Sequence, residues 1–480
     1  MTPRIDPADP FGTAGLRAAV LAGWRAAPAR FREDANAEEA LALGGYADRV
    51  LVELVANGVD AARSGGEPAD VLVRWMSGAG GPELRVANTG AALTAAGVSA
   101  LATLRASAKR ADGDTVGHFG VGFTAVRAVA DAARVVSAGA GISFDLAATA
   151  AAVAELGSAE LDAEVAARHG QVPALRLPWP MDPADDAELP AGYPTEVRVP
   201  IRPAARAGLL EQLGAVGDEL FFALPGLRAL TVELPGLSRT VTRRDEGTLT
   251  VLTEQIRPAG SRFGPGTDRR FRVATGSGEL PAGLLADRPV EERHRRSYWI
   301  SWVQPVDRSD PPRDSRVGAP TATDEPLSLP ASLFGMFPVD DTRRRLAPGP
   351  LTDHLLDRAA TAYRDLVAAV PVGDRIGLIP AGGFPAGPVD ARLRAGILAA
   401  LAVAPVWRTA LDEPVAATDA VLVPGLPVDA APLLAQALPG LLPAPPSRAA
   451  EAALRSLGVR ALPLEEAVSA LAGISRPPEF

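Results

Sequence analysis

The sequence lacks several residues on which common chemistries depend. Its 480 residues include no cysteine, which excludes disulfides, thiolate nucleophiles and cysteine-ligated zinc. The four histidines show no metal-ligand spacing. Lysine is almost missing: of the 48 basic residues, 47 are arginine and Lys109 is the one lysine. Such a bias is most simply explained by codon composition, so by itself it says nothing about function.

Long apolar runs and nucleotide-loop motifs of the commonest kind are also missing. No stretch of about 20 apolar residues predicts a membrane span, and the N-terminus lacks the basic-then-apolar pattern of a signal peptide. We therefore expect a cytoplasmic protein without a membrane partner. The net charge of −9 argues against a nucleic-acid partner, because affinity for phosphate backbones depends on basic residues. No GxxxxGK[ST] motif is present, which excludes a P-loop.

Hydrophobic patterning predicts an α+β protein with three domains. The first, residues 1–205, alternates helical spacing with short strand-like runs and has a loop dense in proline and aspartate before its last strand. The second, 206–370, is rich in period-two runs that predict strands. The third, 371–480, is predicted to be a small α/β domain in which RIGLIP and AVLVPG form strands between helices. The abrupt ending in RPPEF is compatible with a natural chain that continues past Phe480.

Three segments of the first domain carry residues suited to chemistry. In ELVANGVDAA, Glu53, Asn57 and Asp60 are spaced so that a helix presents them on one face. Taken alone, this pattern is also typical of a solvated acidic face on an amphipathic helix. Gly58, inside the same helix, costs about 1 kcal/mol relative to alanine, which indicates close packing.

The second and third segments contain glycines next to predicted strands and helices. In LRVANTGAAL a strand ends at Asn88 and Gly90 permits a close turn, which by itself favours an ordinary strand-to-loop connection. In VGHFGVGF, Gly117, Gly120 and Gly122 precede a predicted helix. Backbone N–H groups exposed at such a helix start can bind phosphate oxygens. The dinucleotide-binding alternative requires the glycines directly after a strand, whereas a polar stretch precedes them here.

In this order and at spacings of about 30 residues, the three segments resemble the nucleotide-binding boxes of the GHKL ATPases. That superfamily includes gyrase, the ninety-kilodalton heat-shock chaperone, histidine kinases and mismatch-repair ATPases. VGHFGVGF is most similar to the heat-shock chaperone, and the flanking sequence looks like bacterial proteins with a sacsin-type N-terminal ATPase domain. The resemblance covers roughly residues 40–200. It implies an N-terminal GHKL-type α/β sandwich, a mixed sheet covered by helices, followed by further α/β domains.

The resemblance also implies roles for the residues of the first box. Glu53 matches the general base that activates water for attack on the γ-phosphate of ATP. Asn57 matches the residue whose side-chain oxygen coordinates Mg²⁺. Asp60 matches a helix residue that borders the adenine pocket.

The resemblance also assigns phosphate binding to the third segment, VGHFGVGF, which we call the glycine box, and to the residues before it. The residues of that box are Gly117, Gly120, Val121, Gly122 and Phe123, although the aromatic ring of the last favours core packing. Lys109 lies eight residues before the first of these glycines, where the family has a lysine or other polar residue near the phosphates. An ordinary surface lysine is the equal alternative.

The adenine-binding positions depart from the family pattern. Asn88 stands where the family usually has an aspartate that accepts from the adenine amino group, and its amide oxygen can still accept that hydrogen bond. Gly90 is retained, but Ala92 replaces the second glycine of this box. Thr195 keeps the hydroxyl that can reach the base, while Pro194 removes the N–H of the usual glycine.

These matches predict an ATP-binding protein with slow Mg²⁺-dependent hydrolysis coupled to conformational change. A chaperone-like role, with an unknown client protein and a possible homodimer, is what the resemblance implies. Arg343, Arg344 and Arg345 are candidates for an arginine that reaches the γ-phosphate, against a solvated basic cluster paired with nearby aspartates. A non-hydrolysing nucleotide sensor or scaffold is the main alternative, and a DNA-associated GHKL ATPase fits the acidic composition less well.

Overall fold

The protein is a mixed α+β protein that divides into two compact units. The structure, a computed structural model, describes residues 8–43, 48–78, 80–103, 122–137, 140–181, 188–288, 290, 293–294, 296–306, 315–319, 321–340 and 344–471. The first unit comprises Met1–Arg244, Leu252–Asp268 and Arg288–Arg295, and the second comprises Asp245–Val251, Arg269–Asp287 and Arg296–Phe480.

Helices occur throughout both units. Those of the first unit are α1 Thr13–Ala26, α2 Pro28–Leu43, α3 Val50–Ser64, α4 Ala95–Leu101, α5 Leu146–Ala154, α6 Ala159–Ala167, α7 Arg206–Gly214 and α8 Glu219–Ala223. Those of the second are α9 Pro350–Ala369, α10 Pro388–Val403, α11 Ala431–Ala435, α12 Arg448–Ser456 and α13 Leu464–Leu471. Among the described residues, no helix is long and apolar enough to cross a membrane.

The strands are numbered along the chain. They are β1 Ala69–Gly78, β2 Gly81–Asn88, β3 Ala132–Ser137, β4 Ala140–Asp145, β5 Trp179–Pro180, β6 Thr195–Pro200, β7 Leu227–Leu234, β8 Leu237–Glu246 and β9 Leu249–Pro258. They continue with β10 Thr267–Glu279, β11 Ser297–Pro305, β12 Arg316–Ala319, β13 Thr321–Pro326, β14 Ser332–Gly335, β15 Trp407–Arg408, β16 Pro414–Val415, β17 Val421–Leu422 and β18 Arg460–Ala461.

A mixed sheet forms the centre of the first unit, with its strands in the order β8-β7-β1-β2-β6-β3-β4-β5. β1 and β2 form an antiparallel pair, and β1 pairs in parallel with β7. Burial alternates along β1, as expected for a strand with one face turned to a core. The sequence predicts that the first domain ends near residue 205. The first unit extends beyond that residue and includes β7.

The N-terminal helices of this unit build a core of their own. Trp24 of α1 meets Phe31 of α2 edge to face, with ring centroids 5.2 Å apart. Leu161 of α6 and Val153 of α5 are buried in the same cluster. Pro28, at the first position of α2, ends α1 because its ring cannot continue the helix, as the sequence predicts.

The second unit has its own core. Its strands lie in the order β13-β12-β14-β11-β10, and two small two-stranded sheets pair β15 with β16 and β17 with β18. Trp302 of β11 packs against Tyr363 of α9 at 4.9 Å and donates from Nε1 to the Ala359 carbonyl oxygen at 2.8 Å. The long helix α9 therefore packs on β11 through these contacts.

Two predicted elements differ in the structure. RIGLIP, predicted as a strand, lies mostly in a 3₁₀ helix, Val372–Leu378. The Arg375 side chain donates to the carbonyl oxygens of Val370, Val406 and Ala368. These hydrogen bonds stabilise the segment as a helical turn instead of a strand. The helix predicted from residue 123 to 132 is also a 3₁₀ helix and ends earlier; we call it the Gly122 helix, Gly122–Ala128.

Candidate functional site

α3 carries the three polar residues that the sequence predicts on one helix face. The apolar residues Leu51, Leu54, Val55 and Val59 are buried, which fixes the rotation of the helix. Glu53 and Asn57 are half-buried as a result, and Asp60 is 3% exposed. The helix therefore presents its carboxylate and amide groups at the boundary of the core.

Glu53 and Asn57 both lie against the first residue of the Gly122 helix. A Cβ added to Gly122 would be 2.6 Å from Glu53 Oε2 and 3.5 Å from Asn57 Oδ1. Only a glycine allows this approach without displacing the carboxylate. The structure thus brings together one residue of the predicted glycine box and two of the three predicted residues of the first box.

A second group of predicted residues lies side by side on neighbouring strands. Asn88 at the end of β2 is in register with Thr195 at the start of β6, and Thr195 is in register with Ser137 at the end of β3. All three side chains are at least nine-tenths buried. Asn88, Thr195 and Ser137 therefore form a row of polar side chains across the ends of β2, β6 and β3, which we call the polar row.

Glycines allow α3 to approach this row closely. A Cβ on Gly58 would be 2.9 Å from Asn88 Cβ and 3.4 Å from Val71 Cγ2, so helix and strand meet with no room for a side chain. Gly90, with φ of +109°, would place a Cβ 2.4 Å from the Ala62 Cα. This explains both glycines: each lets the β2 end of the sheet contact α3 directly.

The polar row is connected by hydrogen bonds through Ser137. Its hydroxyl accepts from the Leu93 N–H at 2.9 Å and donates to the Pro194 carbonyl oxygen at 3.1 Å. Ser137 Oγ is also 3.2 Å from Thr195 Oγ1. A hydroxyl has one hydrogen, so donation to Pro194 leaves Ser137 to accept from Thr195. The Thr195 oxygen then keeps its lone pairs for another partner.

The Asn88 amide has a defined orientation. Its Nδ2 donates to the Thr89 carbonyl oxygen at 2.8 Å. The neighbouring Thr89 is itself fixed to β1, because its hydroxyl accepts from the Asp70 N–H at 3.0 Å. This bond uses one of the two Nδ2 hydrogens and fixes the amide, in which Oδ1 is the atom that can accept from a hydrogen-bond donor.

Several predicted site residues lie outside the described residues: Lys109, Gly117, Gly120 and Val121. Phe123 is described and is 5% exposed, with its ring 5.6 Å from the Phe144 ring. Its side chain is part of the core, as its residue type favours.

The predicted arginine cluster belongs to the second unit, where Arg344 and Arg345 are described and exposed. The Arg344 guanidinium is 3.5 Å from Asp324, and the backbone N–H groups of both arginines bond to Asp340 Oδ1 at 3.2 and 3.4 Å. Asp340 is one of the two aspartates that the sequence pairs with the cluster.

Sequence reasoning overlooked Ser137. The residue is the last polar position of the strand-like run ARVVSA, a pattern that predicts the strand but gives no partner for its end. Its contact with Thr195 depends on the β3–β6 pairing across 58 residues of sequence, which local patterns do not reveal.

Comparisons with protein-family models and with curated proteins give no match. The function therefore has to be argued from the arrangement of the residues described above.

Proposed function

We propose that the first unit binds ATP and hydrolyses it slowly, with Glu53 as the general base. One observation supports the proposal: Glu53, Asn57 and Gly122 meet at one point of the fold. The resemblance to the GHKL ATPases assigns these residues to water activation, metal binding and phosphate binding. If the Gly122 backbone binds the phosphates, the Glu53 carboxylate lies close enough to deprotonate a water that attacks the γ-phosphate.

The polar row supports adenine as the base. Asn88 Oδ1 is suited to accept from an exocyclic amino group, and the Thr195 hydroxyl retains acceptor capacity beside it. A buried site built from hydrogen-bonding groups discriminates strongly, because a wrong ligand leaves those groups unpaired. Guanine, whose oxygen replaces the amino group, is expected to bind more weakly.

The residues present are compatible with Mg²⁺. Asn57 Oδ1 and the Glu53 carboxylate are oxygen ligands of the type that this cation prefers, and both lie at the Gly122 backbone. In this proposal Asn57 holds the cation together with phosphate oxygens and water. The bound cation would supply charge neutralisation of the phosphates.

The experiment is a comparison of the wild-type protein with Glu53→Ala and Glu53→Gln. Turnover is measured as phosphate release, and binding by titration with ATP and Mg²⁺. We expect both variants to bind ATP while hydrolysis falls by at least about 10²-fold, since general-base catalysis contributes about 10²–10⁴-fold. A wild type that neither binds nor hydrolyses ATP refutes the proposal.

A nucleotide sensor is the second candidate, favoured by the departure at Asn88. In that case ATP acts as a ligand that shifts a conformational equilibrium. Tight binding by the wild type without phosphate release identifies this function. The two candidates share the site and differ in whether Glu53 acts on water.

The wider role proposed is chaperone-like. Nucleotide-dependent conformational change would act on a client protein, in a cytoplasmic protein able to form a homodimer. These elements come from the resemblance to the heat-shock chaperone and sacsin-type ATPases. Sedimentation with and without ATP tests the dimer, and no nucleic-acid partner is proposed.

A further inference from the structure

Glu38 of α2 is a buried carboxylate that the proposed reaction does not use. It is 3% exposed. Its two oxygens accept from the N–H groups of Ala174 and Leu175, each at 3.1 Å. The next residue of that segment, Arg176, is 3.2 Å from Asp34, one turn earlier on α2. The segment 174–176 is thus fixed to α2 by two carboxylates.

Arg127 of the Gly122 helix completes the environment of Glu38. Its Nε is 2.8 Å from Glu38 Oε1, and its side chain is almost fully buried. The same guanidinium donates to the Ala130 carbonyl oxygen at 2.8 Å and to Gln171 Oε1 at 3.3 Å, and it lies 3.5 Å from Asp131. Burial raises the pKa of Glu38, whereas Arg127 and the two N–H groups act in the opposite direction.

The ion pair is connected to one half of the nucleotide site. Arg127 is on the same 3₁₀ helix as Gly122, whose backbone lies against Glu53. Asn88 and Thr195, by contrast, lie on β2 and β6 and are fixed by contacts with α3 and β3. Displacing the Gly122 helix therefore changes the surroundings of Glu53 directly. The bonds from Arg202 to Arg127 and Val129 join the helix segment to the chain after β6, at the opposite end of that strand from Thr195.

We propose that Glu38 and Arg127 are positioning residues, which hold the Gly122 helix against Glu53 for ATP hydrolysis. This inference rests on the proposed function, because it assigns a role within that reaction. A rigid connection of this kind matters because a displacement of about 1 Å near reacting groups costs on the order of 10²-fold in rate. α2 then contributes to catalysis without contacting the substrate.

The test compares kcat and KM for ATP in Glu38→Gln, Arg127→Lys, Arg127→Met and the double variant Glu38→Gln/Arg127→Met. We expect Glu38→Gln and Arg127→Met each to lower kcat by about tenfold or more, while KM changes by less than about threefold. The double variant loses no more than either single one, because both remove the same connection. Arg127→Lys keeps the charge and retains more activity than Arg127→Met. If Glu38→Gln does not fold, Arg127→Met takes its place in the comparison.

Glu83→Gln is the matched control. Glu83 is 8% exposed and pairs with Arg85 and Arg134 at 2.6 and 2.7 Å, so its loss also removes a buried carboxylate that is paired with arginine in the first unit, although these two arginines are half-buried. It lies at the far end of β2 from Asn88 and has no connection to Gly122 among the described contacts. We expect lower thermal stability with unchanged kcat.

The outcomes separate this inference from the proposed function. If the wild type hydrolyses ATP and folded Glu38→Gln does so at the same rate, the positioning role is refuted and the ATPase stands. If Glu83→Gln lowers kcat as much as Glu38→Gln, the effect is general destabilisation and the role is again refuted. A wild type without hydrolysis overturns both.

Discussion

The contact between Gly122 and Glu53 leads to the sharpest prediction, for Gly122→Ala. The added Cβ would be 2.6 Å from Glu53 Oε2, about 0.8 Å short of the 3.4 Å at which ordinary contact begins. The atom in the way is the end of a flexible side chain, so Glu53 can rotate away. A rotation of about 30° from a rotamer costs about 0.5–1.5 kcal/mol, which sets the expected loss in free energy of unfolding.

The loss in activity should be larger than the loss in stability. A carboxylate displaced by nearly 1 Å is expected to lower kcat by about 10²-fold, equivalent to about 2.7 kcal/mol in the activation barrier. Stability is measured by chemical denaturation and activity by phosphate release. Gly208→Ala is the control, since Gly208 is exposed in α7 and its Cβ would meet nothing within 4 Å.

Gly208→Ala should be neutral in activity and stabilising by about 0.5–1 kcal/mol, as for glycine in a helix interior. The reasoning is refuted if Gly122→Ala retains wild-type kcat, because Glu53 would then not need its observed position. It is also refuted if Gly122→Ala unfolds the unit, because the contact would then be a structural one.

Two further predictions follow from the polar row and from Glu38. Ser137→Ala removes the acceptor for the Leu93 N–H and the partner of Thr195; we expect unfolding to become easier by about 1–3 kcal/mol and ATP affinity to fall, measured by denaturation and calorimetry. Unchanged affinity would contradict the role given to the row. Because burial raises the folded-state pKa of Glu38, the folded state releases this proton at a higher pH than the unfolded chain, which releases it near pH 4.5. The free energy of unfolding of the wild type minus that of Glu38→Gln should therefore fall as pH rises through this window, and a rise shows that the ion pair with Arg127 dominates instead.

The sequence was sufficient to predict the central elements of the site. The spacing of Glu53, Asn57 and Asp60 indicates a helix, and α3 confirms it. The strand ending at Asn88 is likewise confirmed as β2. These predictions succeeded because helical and strand periodicity are local properties.

The connections between elements were not predictable in the same way. Glu38 lies in a polar stretch that looks like an ordinary solvated surface, and its burial depends on Arg127 and on the N–H groups near residue 174. The cost of Gly58 in a helix indicates close packing, but its partner, Asn88 of β2, follows only from the position of the sheet against α3. RIGLIP was misassigned because a short apolar run does not distinguish a strand from a buried turn.

Nucleotide titration of the wild-type protein tests the central claim most directly. Thermal stability is measured with ATP, ADP and GTP, each with and without Mg²⁺. A ligand of the folded state stabilises it by about 2.7 kcal/mol at one hundred times its dissociation constant. We predict stabilisation by ATP and ADP, stronger with Mg²⁺, and a weaker effect of GTP because Asn88 selects the adenine amino group. No stabilisation by any nucleotide would contradict the assignment of this site.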